Sequence, residues 1–250
     1  MNTTSNNFDI LNEALNQAPH QTLSTLLRDS WFLGFDTETT GINPKEDGIA
    51  SACMVLRNPE FNRDGDVIGE WLINPERPMN PIASQVNGFT DEYLQEHGQD
   101  AKEGLLQMKE VIELALSKNI PILAYNAPFD IRQLQGDLEY FNLPSLSENL
   151  LVIDPLVIDK KFCIRRGKRN LATTAEYYNI TPFGDYHNAT ADTVVAIDVM
   201  QSICSNFDMV ANTALSDIMT AQRIAFKQSQ DSFNQWAKSQ GVRERHDTWL

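Results

Sequence analysis

Residues 31–41 read WFLGFDTETTG, an apolar segment that runs into two acidic residues. The apolar part predicts a strand buried in the protein interior. Because successive side chains of a strand point to opposite faces, Asp36 and Glu38 are expected to converge, with Thr37 turned to the other side. Two neighbouring carboxylates repel each other unless a proton or a cation lies between them. This stretch therefore predicts a cation-binding site at the end of an interior strand.

Apolar runs and helical periodicities elsewhere predict an α/β fold with a mixed sheet, because strands first form a meander and then alternate with helices. The predicted strands are residues 31–36, 49–57, 66–73, 121–126 and 150–156, and the predicted helices are residues 8–29, 105–116, 127–141, 169–179 and 190–204. A further helical stripe comprises Leu215, Ile218, Met219, Phe226, Phe233 and Trp236. We divide the chain into an N-terminal tail and helix (1–29), a central domain (30–206) and a helical extension (207–250), with residues 243–250 as a loose tail.

The composition is that of an ordinary globular protein, with 42% hydrophobic and 22% charged residues among 250. No apolar stretch approaches the roughly 18 residues of a membrane span. The first residues lack the basic and apolar segments of a signal peptide. The three cysteines, Cys53, Cys163 and Cys204, are too few and too scattered for a disulfide framework or a zinc site. We expect an intracellular, cytoplasmic protein in a reducing compartment.

Two further acidic residues stand where predicted helices begin. Asp130 follows Pro128 in the first turn of one helix, and Asp192 lies in the first turn of another, which Thr190 can cap. Each acid leads an apolar stripe and is expected to point toward the edge of the sheet. An acid in a first turn also complements the helix dipole, and for Asp130 alone this explanation would be preferred. His187 is expected to lie on the loop before Asp192 and to lean over the same site.

Asp36, Glu38, Asp130 and Asp192 together offer four carboxylates without a nearby cysteine. Hard oxygen ligands of this kind favour Mg²⁺ or Mn²⁺ over zinc. Two such ions about 4 Å apart can hold a phosphate, activate a water and stabilise the leaving oxygen. His187, with an ordinary imidazole pKa of about 6.5, is suited to accept the proton of that water. The residues therefore predict phosphodiester hydrolysis at a pair of metal ions.

One basic segment contrasts with the formal net charge of −14, which by itself argues against a nucleic-acid partner. Residues 160–169 contain Lys160, Lys161, Arg165, Arg166, Lys168 and Arg169, six of the 20 basic residues of the chain. The segment is either a solvated, charged loop or a phosphate-binding surface on an otherwise acidic protein.

Three motifs occur in a fixed order: FDTETTG (35–41), YNAPFD (125–130) and H-x-x-x-x-D (187–192). On these motifs the chain resembles the DEDDh 3′–5′ exonucleases, within which it is similar to the proofreading epsilon subunit of bacterial DNA polymerase III and its free-standing relatives. The similarity covers about residues 30–205. It implies a ribonuclease H-like fold, a five-stranded mixed sheet flanked by helices. It also implies that the four acids bind two metal ions and that His187 is the general base.

The resemblance further implies a set of substrate contacts. Thr37, Thr39 and Phe129 would hold the terminal nucleotide, together with Val86 and Asn87. Asn87 stands where the family usually has histidine, which leaves the preference for base or sugar open. The basic segment lies just upstream of His187, in a region that resembles one carried by free-standing relatives. This position favours Arg165, Arg166, Lys168 and Arg169 as phosphate contacts.

The leading hypothesis is a metal-dependent enzyme that releases nucleoside 5′-monophosphates from the 3′ ends of single-stranded or frayed DNA. Trimming of RNA 3′ ends is the alternative in the same class, because the 2′-hydroxyl is sensed by pocket shape and not by a motif. A polymerase-associated scaffold, binding a protein partner through residues 207–250, is a different class, and the intact catalytic set argues against it. A glycoside hydrolase with two carboxylates would leave Asp130, Asp192 and His187 unexplained.

Overall fold

The computed structural model describes residues 3–184 and 188–250. The strands are β1 (Phe32–Thr39), β2 (Ile49–Arg57), β3 (Val67–Asn74), β4 (Gln99–Asp100), β5 (Ile122–Leu123) and β6 (Val152–Ile153). The helices are α1 (Thr3–Gln17), α2 (Pro81–Asn87), α3 (Asp91–His97), α4 (Ala101–Ser117), α5 (Pro128–Tyr140), α6 (Pro155–Phe162), α7 (Leu171–Tyr177), α8 (Ala189–Asn206), α9 (Asp208–Ala211) and α10 (Leu215–Gln240). Single 3-10 turns span Leu27–Asp29 and Arg63–Gly65.

The strands form one mixed sheet in the order β4-β3-β2-β1-β5-β6. β2 is antiparallel to β1 and β3, whereas β5 and β6 continue from β1 in parallel. The carboxyl ends of β1, β5 and β6 therefore lie at one edge of the sheet. This topology confirms the expected α/β class and places the ends of three predicted strands side by side.

Side chains on the two faces of the sheet belong to two separate hydrophobic clusters. Leu33 and Phe35 of β1 pack with α1, α4 and α5 on one face, and Phe32 packs with α8 and the start of α10 on the other. Burial of apolar area against both faces supplies most of the driving force for such a three-layer arrangement. Since β1 is central and buried on both sides, its carboxyl end is a rigid base for a site.

Several predicted elements differ from the structure. The strands predicted over 121–126 and 150–156 are reduced to the two residues of β5 and of β6, and residues 155–156 begin α6. The sheet has six strands and not five, because Gln99 and Asp100 pair with the end of β3 over two residues without an alternating apolar pattern. The first helix ends at Gln17 and does not reach residue 29. Pro19 follows two residues later, and its ring and missing N–H prevent the helix from continuing.

The expectation of a loose tail at residues 243–250 was wrong. α10 packs on α6 and β6, and the segment after it folds back along α10. Trp249 is 6% exposed and packs against Val157 and Ala225. A ring of this size, once buried, holds a segment that has no regular structure of its own.

In the part of the chain that the structure describes, no helix combines the length and apolar character needed to cross a lipid bilayer.

Candidate active site

Alternation along β1 sends its acids and its threonine to opposite sides of the sheet. Gly34 lies under α8, where an added Cβ would come within 2.7 Å of Ile197 and Thr193, so the helix approaches β1 closely. Asp36 and Glu38 follow Gly34 on the same face at intervals of two residues. The absence of a side chain at position 34 thus allows the first turn of α8 to reach the end of β1.

Asp36, Glu38 and Asp192 form the central cluster of the site. Each offers a carboxylate oxygen, and these oxygens lie within 4.8 Å of one another. All three side chains are half-buried. Asp192 is in the first turn of α8, whose cap is Asn188 and not Thr190 as expected. The Asn188 side chain accepts hydrogen bonds from the backbone of residues 190 and 191, while the Thr190 hydroxyl donates to Glu70 of β3.

Asp130 approaches the same strand end from the opposite face of the sheet. Its Oδ1 accepts two hydrogen bonds from Thr37, one from the backbone N–H at 3.0 Å and one from the hydroxyl at 2.8 Å. The side chain of Asp130 is buried in the first turn of α5. β1 pairs with β5 only at Leu33 and Gly34, so the Thr37 N–H has no strand partner on that side and Asp130 satisfies it.

The four acids share an electrostatic environment that favours protonation or a cation. Burial raises the pKa of Asp36 well above its usual range, and Asp130, Asp192 and Glu38 raise it further. Burial and, to a smaller extent, the charge of Asp192 raise the pKa of Glu38 to about 7. A hydrogen bond from Asn87 lowers this pKa in part. Burial likewise raises the pKa of Asp130 to about 7, although both bonds from Thr37 lower it. Four carboxylates held this closely need a counter-charge to be ionised together.

The donor set fits a hard divalent cation. Asp36, Glu38 and Asp192 present carboxylate oxygens of one cluster, and the charge of Asp130 raises the pKa of Asp36. Oxygen-only ligands at a half-exposed edge suit Mg²⁺ or Mn²⁺, which keep several waters or substrate oxygens in their coordination shell. The geometry thus brings together three of the four acids that the sequence singled out, and Asp130 acts electrostatically on Asp36 from the other face of the sheet. His187 lies outside the described residues.

The described part of the loop before His187 is fixed by an arginine. Arg63 donates to the Thr181 carbonyl at 2.5 Å, lies over the ring of Phe183, and pairs with Asp198 of α8. Asp198 also pairs with Arg57, which is fully buried in β2 and additionally bound by Asp66. This ion-pair network holds the loop and α8 against the same strand.

A cleft of about 310 Å³ opens beside Glu38. It is lined by the residues implied as nucleotide contacts, Thr37, Thr39, Val86, Asn87 and Phe129, and also by Ile42 and Ile82. Ile42 is 85% exposed and Ile82 is 73% exposed. Sequence reasoning missed both isoleucines, although an apolar residue in a polar Gly/Asn/Pro-bearing connector was an available signal. Apolar walls next to acids suit a ligand with a flat apolar part and a charged part.

The basic segment is divided between internal and exposed groups. Arg165 and Arg169 both pair with Asp159, which is fully buried, and Tyr178 also donates to that carboxylate. Arg166 and Lys168 are exposed. The Tyr125 hydroxyl donates to the Arg169 carbonyl at 2.7 Å, so the segment is anchored next to the motif that carries Asp130. Arg165 and Arg169 therefore contribute to the local fold, and the exposed charge of the segment belongs to Lys160, Lys161, Arg166 and Lys168.

Residues 33–200 match a family model, RNase_T, that describes exonucleases. The PolC-type DNA polymerase III of Thermotoga petrophila is 29% identical over 191 residues, which are 75% of this chain and 13% of that protein. The PolC-type enzyme of Latilactobacillus sakei is 26% identical over 199 residues, or 77% of this chain and 13% of the relative. The chain thus spans only about an eighth of the length of these curated relatives.

Solved structures show a similar fold. An E. coli exonuclease I complex with single-stranded DNA, in its zinc-bound form, superimposes with a TM-score of 0.60 at 17% identity, covering 73% of this chain and 42% of that one. Exonuclease X in complex with 5′ overhanging duplex DNA gives a TM-score of 0.52 at 19% identity, covering 74% and 96%. At these identities the likeness concerns the fold, and it agrees with the ribonuclease H-like architecture expected from the motifs.

Proposed function

Because the chain belongs to the exonuclease family described by the RNase_T model, we propose that it removes nucleotides from the 3′ ends of single-stranded or frayed DNA with the help of two divalent cations. The observation that carries this proposal is the cluster of Asp36, Glu38 and Asp192 at the end of β1, with Asp130 beside it. DNA is preferred over RNA as the substrate because the PolC-type relatives are DNA polymerases and the solved neighbours are described with DNA.

The four acids would hold the cations in the proposed reaction. Asp36, Glu38 and Asp192 would hold Mg²⁺ or Mn²⁺ jointly, and Asp130 would complete the set from the other face of the sheet. Thr37 keeps Asp130 oriented by donating two hydrogen bonds to a single oxygen. When bound, divalent cations would neutralise phosphate charge and lower the pKa of a water ligand. The clustered carboxylates would thus release their protons as they bind the cations, whose charge balances theirs.

Substrate binding is assigned to the cleft and the basic segment. The terminal base would lie against Ile82 and Phe129, with Glu38 and Asn87 at its polar end. The exposed charges of Arg166 and Lys168 would contact upstream phosphates, which Arg165 and Arg169 support by holding the segment. His187 would accept the proton from the attacking water, and the product would be a nucleoside 5′-monophosphate.

A protein partner bound through residues 207–250 remains a proposal of its own. α10 is docked on α6 and β6, but Ile224 and Trp236 on the same helix are about half exposed. Met209 and Val242 are exposed as well, and a partner could cover these apolar side chains of the extension.

The proposed function is tested by digesting 5′-labelled DNA and RNA strands of equal sequence in Mg²⁺, in Mn²⁺ and in EDTA. We expect a ladder that shortens from the 3′ end, disappears in EDTA, and is absent with Asp36→Ala. Asp64→Ala, which removes an exposed acid, is the matched control and should behave as wild type. Asp36→Ala should also melt no earlier than wild type without metal, because it relieves repulsion between carboxylates.

Three outcomes would overturn parts of the proposal. Immediate release of the 5′ label as a mononucleotide would reverse the polarity. Faster digestion of RNA would make the protein an RNA 3′-end trimmer. Retained metal binding without any ladder would leave a scaffold role. His187→Ala tests the general base separately and should lower turnover by about 10² to 10⁴ while metal binding persists.

A further inference from the structure

The segment 242–250 is fixed to the body of the protein at several points. Asn234 of α10 exchanges two hydrogen bonds with the backbone of Arg245, at 2.7 and 2.8 Å, and Gln230 donates to the Asp247 carbonyl at 2.8 Å. Arg245 also lies over the ring of Phe233. These contacts lead the segment back along α10 until Trp249 enters the interior.

At its end the segment contacts Asp154, which follows β6, and Arg132 of α5. The Trp249 indole N–H donates to Asp154 Oδ2 at 3.2 Å, in buried surroundings. Arg132, two residues after Asp130 on α5, donates to the carbonyl and the hydroxyl of Thr248 at 2.5 and 3.1 Å. The segment is therefore attached to the first turns of α5 and to the end of β6 at the same time.

Asp154 connects the segment to the residues that begin α5. Its other oxygen, Oδ1, accepts the backbone N–H of Asn126 at 3.0 Å and that of Leu156 at 3.0 Å. Asn126 has a left-handed backbone with φ of 68°, two residues before α5 starts at Pro128. Such a conformation persists only where neighbouring groups fix it. The direction in which α5 leaves β5 thus depends on a hydrogen bond from Asn126 to Asp154.

We propose that Trp249 is a positioning residue of the active site: by holding the Asp154 carboxylate, it fixes Asn126 and the start of α5, and so the place of the Asp130 carboxylate. Thr37 fixes the same carboxylate from the strand side. The inference rests on the proposed function, in which Asp130 is a metal ligand. It gives the irregular segment at 242–250 an indirect role in the reaction, although no atom of that segment belongs to the acidic cluster.

The test replaces Trp249 by Phe, which keeps an aromatic ring in the core but removes the N–H donor together with part of the indole. Trp236→Phe on α10 is the matched control, since its ring is 52% exposed. For each full-length protein we would measure the Mn²⁺ dissociation constant by electron paramagnetic resonance, kcat and KM on single-stranded DNA, and the melting temperature. All rates and affinities are taken at a temperature where every variant is fully folded.

With Trp249→Phe we expect an Mn²⁺ dissociation constant raised by about 10-fold and a kcat lowered by about 10-fold, the range seen when a group that orients a metal ligand is lost. KM should rise as well, because Phe129 at the start of α5 lines the nucleotide cleft. Trp236→Phe should match wild type. Arg132→Gln removes the second attachment of the segment and should also lower kcat. It replaces Trp249→Phe in the test if that variant fails to fold.

A double-mutant cycle identifies the route of the effect. If Trp249 acts through Asp154, then Trp249→Phe should add less than about 2-fold to the loss already caused by Asp154→Asn, because the effects of substitutions at contacting residues are not additive. If the double variant loses kcat by the full product of the two separate losses, the route through Asp154 is overturned.

Two further results separate this inference from the proposed function. Wild-type kcat and Mn²⁺ affinity in Trp249→Phe, with Asp36→Ala inactive, would overturn the positioning role and leave the exonuclease intact. If wild type binds Mn²⁺ but digests nothing, the proposed function fails, and the positioning role is then judged on Mn²⁺ affinity alone, where no change would overturn it.

Discussion

At the scale of single residues, the protonation of Glu38 links the acidic cluster to the folding stability of the metal-free protein. Its pKa is about 7 in the folded protein and 4.5 for the free group. Between these values the folded protein retains a proton that the unfolded chain has released. The stability of the metal-free protein, as far as it depends on Glu38, is therefore full below about pH 4.5 and is lost progressively as the pH rises toward 7.

We accordingly expect Glu38→Gln to raise the free energy of unfolding of the metal-free protein by roughly 1–3 kcal/mol at pH 8 and to change it little at pH 4. Denaturant titrations in EDTA at the two pH values measure this difference. Glu60→Gln, which neutralises an exposed acid, is the control and should have little effect at either pH. Equal stabilisation by Glu38→Gln at both pH values would contradict the assignment.

The Thr37 hydroxyl donates a hydrogen bond to Asp130, in addition to the substrate contact proposed for Thr37. Because that bond favours the ionised carboxylate, its loss in Thr37→Val should raise the pKa of Asp130 further. We expect the acidic limb of the pH–rate profile to move to higher pH and the protein to lose about 1 kcal/mol of stability. Thr37→Ser keeps the hydroxyl and should leave the profile in place. An unshifted profile for Thr37→Val would restrict Thr37 to substrate contact.

At the scale of elements, the approach of α8 to β1 determines whether Asp192 meets Asp36. In Gly34→Ala the new methyl group would press on Ile197 and Thr193. Overpacking of this kind costs about 1–3 kcal/mol and moves one element away from the other. We expect a lower melting temperature and, at temperatures where the protein is folded, weaker metal binding.

The matched variant for this prediction is Gly34→Ala combined with Ile197→Val. Valine lacks the Cδ1 atom that would lie 2.7 Å from the new Cβ, so the combination should recover part of the lost metal affinity. Metal titrations of both proteins decide the point. Wild-type affinity in the single variant would show that the spacing of α8 and β1 does not control the site.

The elements and acids that sequence patterns predicted are those governed by local rules. Asp36 and Glu38 followed from strand alternation, and Asp130 and Asp192 from their places in first helical turns. The cap of α8 was assigned to Thr190, because Asn and Thr are both good caps and the choice depends on the loop before the helix. Long-range pairing was not predictable either: the bonds from Thr37 to Asp130 join residues 93 positions apart.

At the scale of the whole molecule, a formal net charge of −14 makes local basic groups decisive for nucleic-acid binding. Arg166 and Lys168 carry exposed charge, whereas Arg165 and Arg169 neutralise the buried Asp159. The sequence alone assigned all four residues to the substrate. It could not separate them, because Asp159 precedes the basic run and its burial depends on how α6 packs.

We expect the double variant Arg166→Ala and Lys168→Ala to raise KM for single-stranded DNA several-fold with little change in kcat. If both side chains neutralise phosphates, the slope of log affinity against log salt should fall by about 1.4, because each neutralised phosphate of a single strand accounts for about 0.7 of that slope. Lys102→Ala, exposed on α4, is the control. An unchanged salt slope would mean that these charges are merely solvated.

The backbone N–H of Thr37 donates a hydrogen bond to Asp130, and its exchange with deuterium can be followed by spectroscopy. Its exchange with deuterium is slow only while β1 and α5 stay together, since no neighbouring strand protects it. The exchange rate of this one amide therefore reports whether Asp130 is docked on β1, in a protein that has been given neither metal nor nucleic acid.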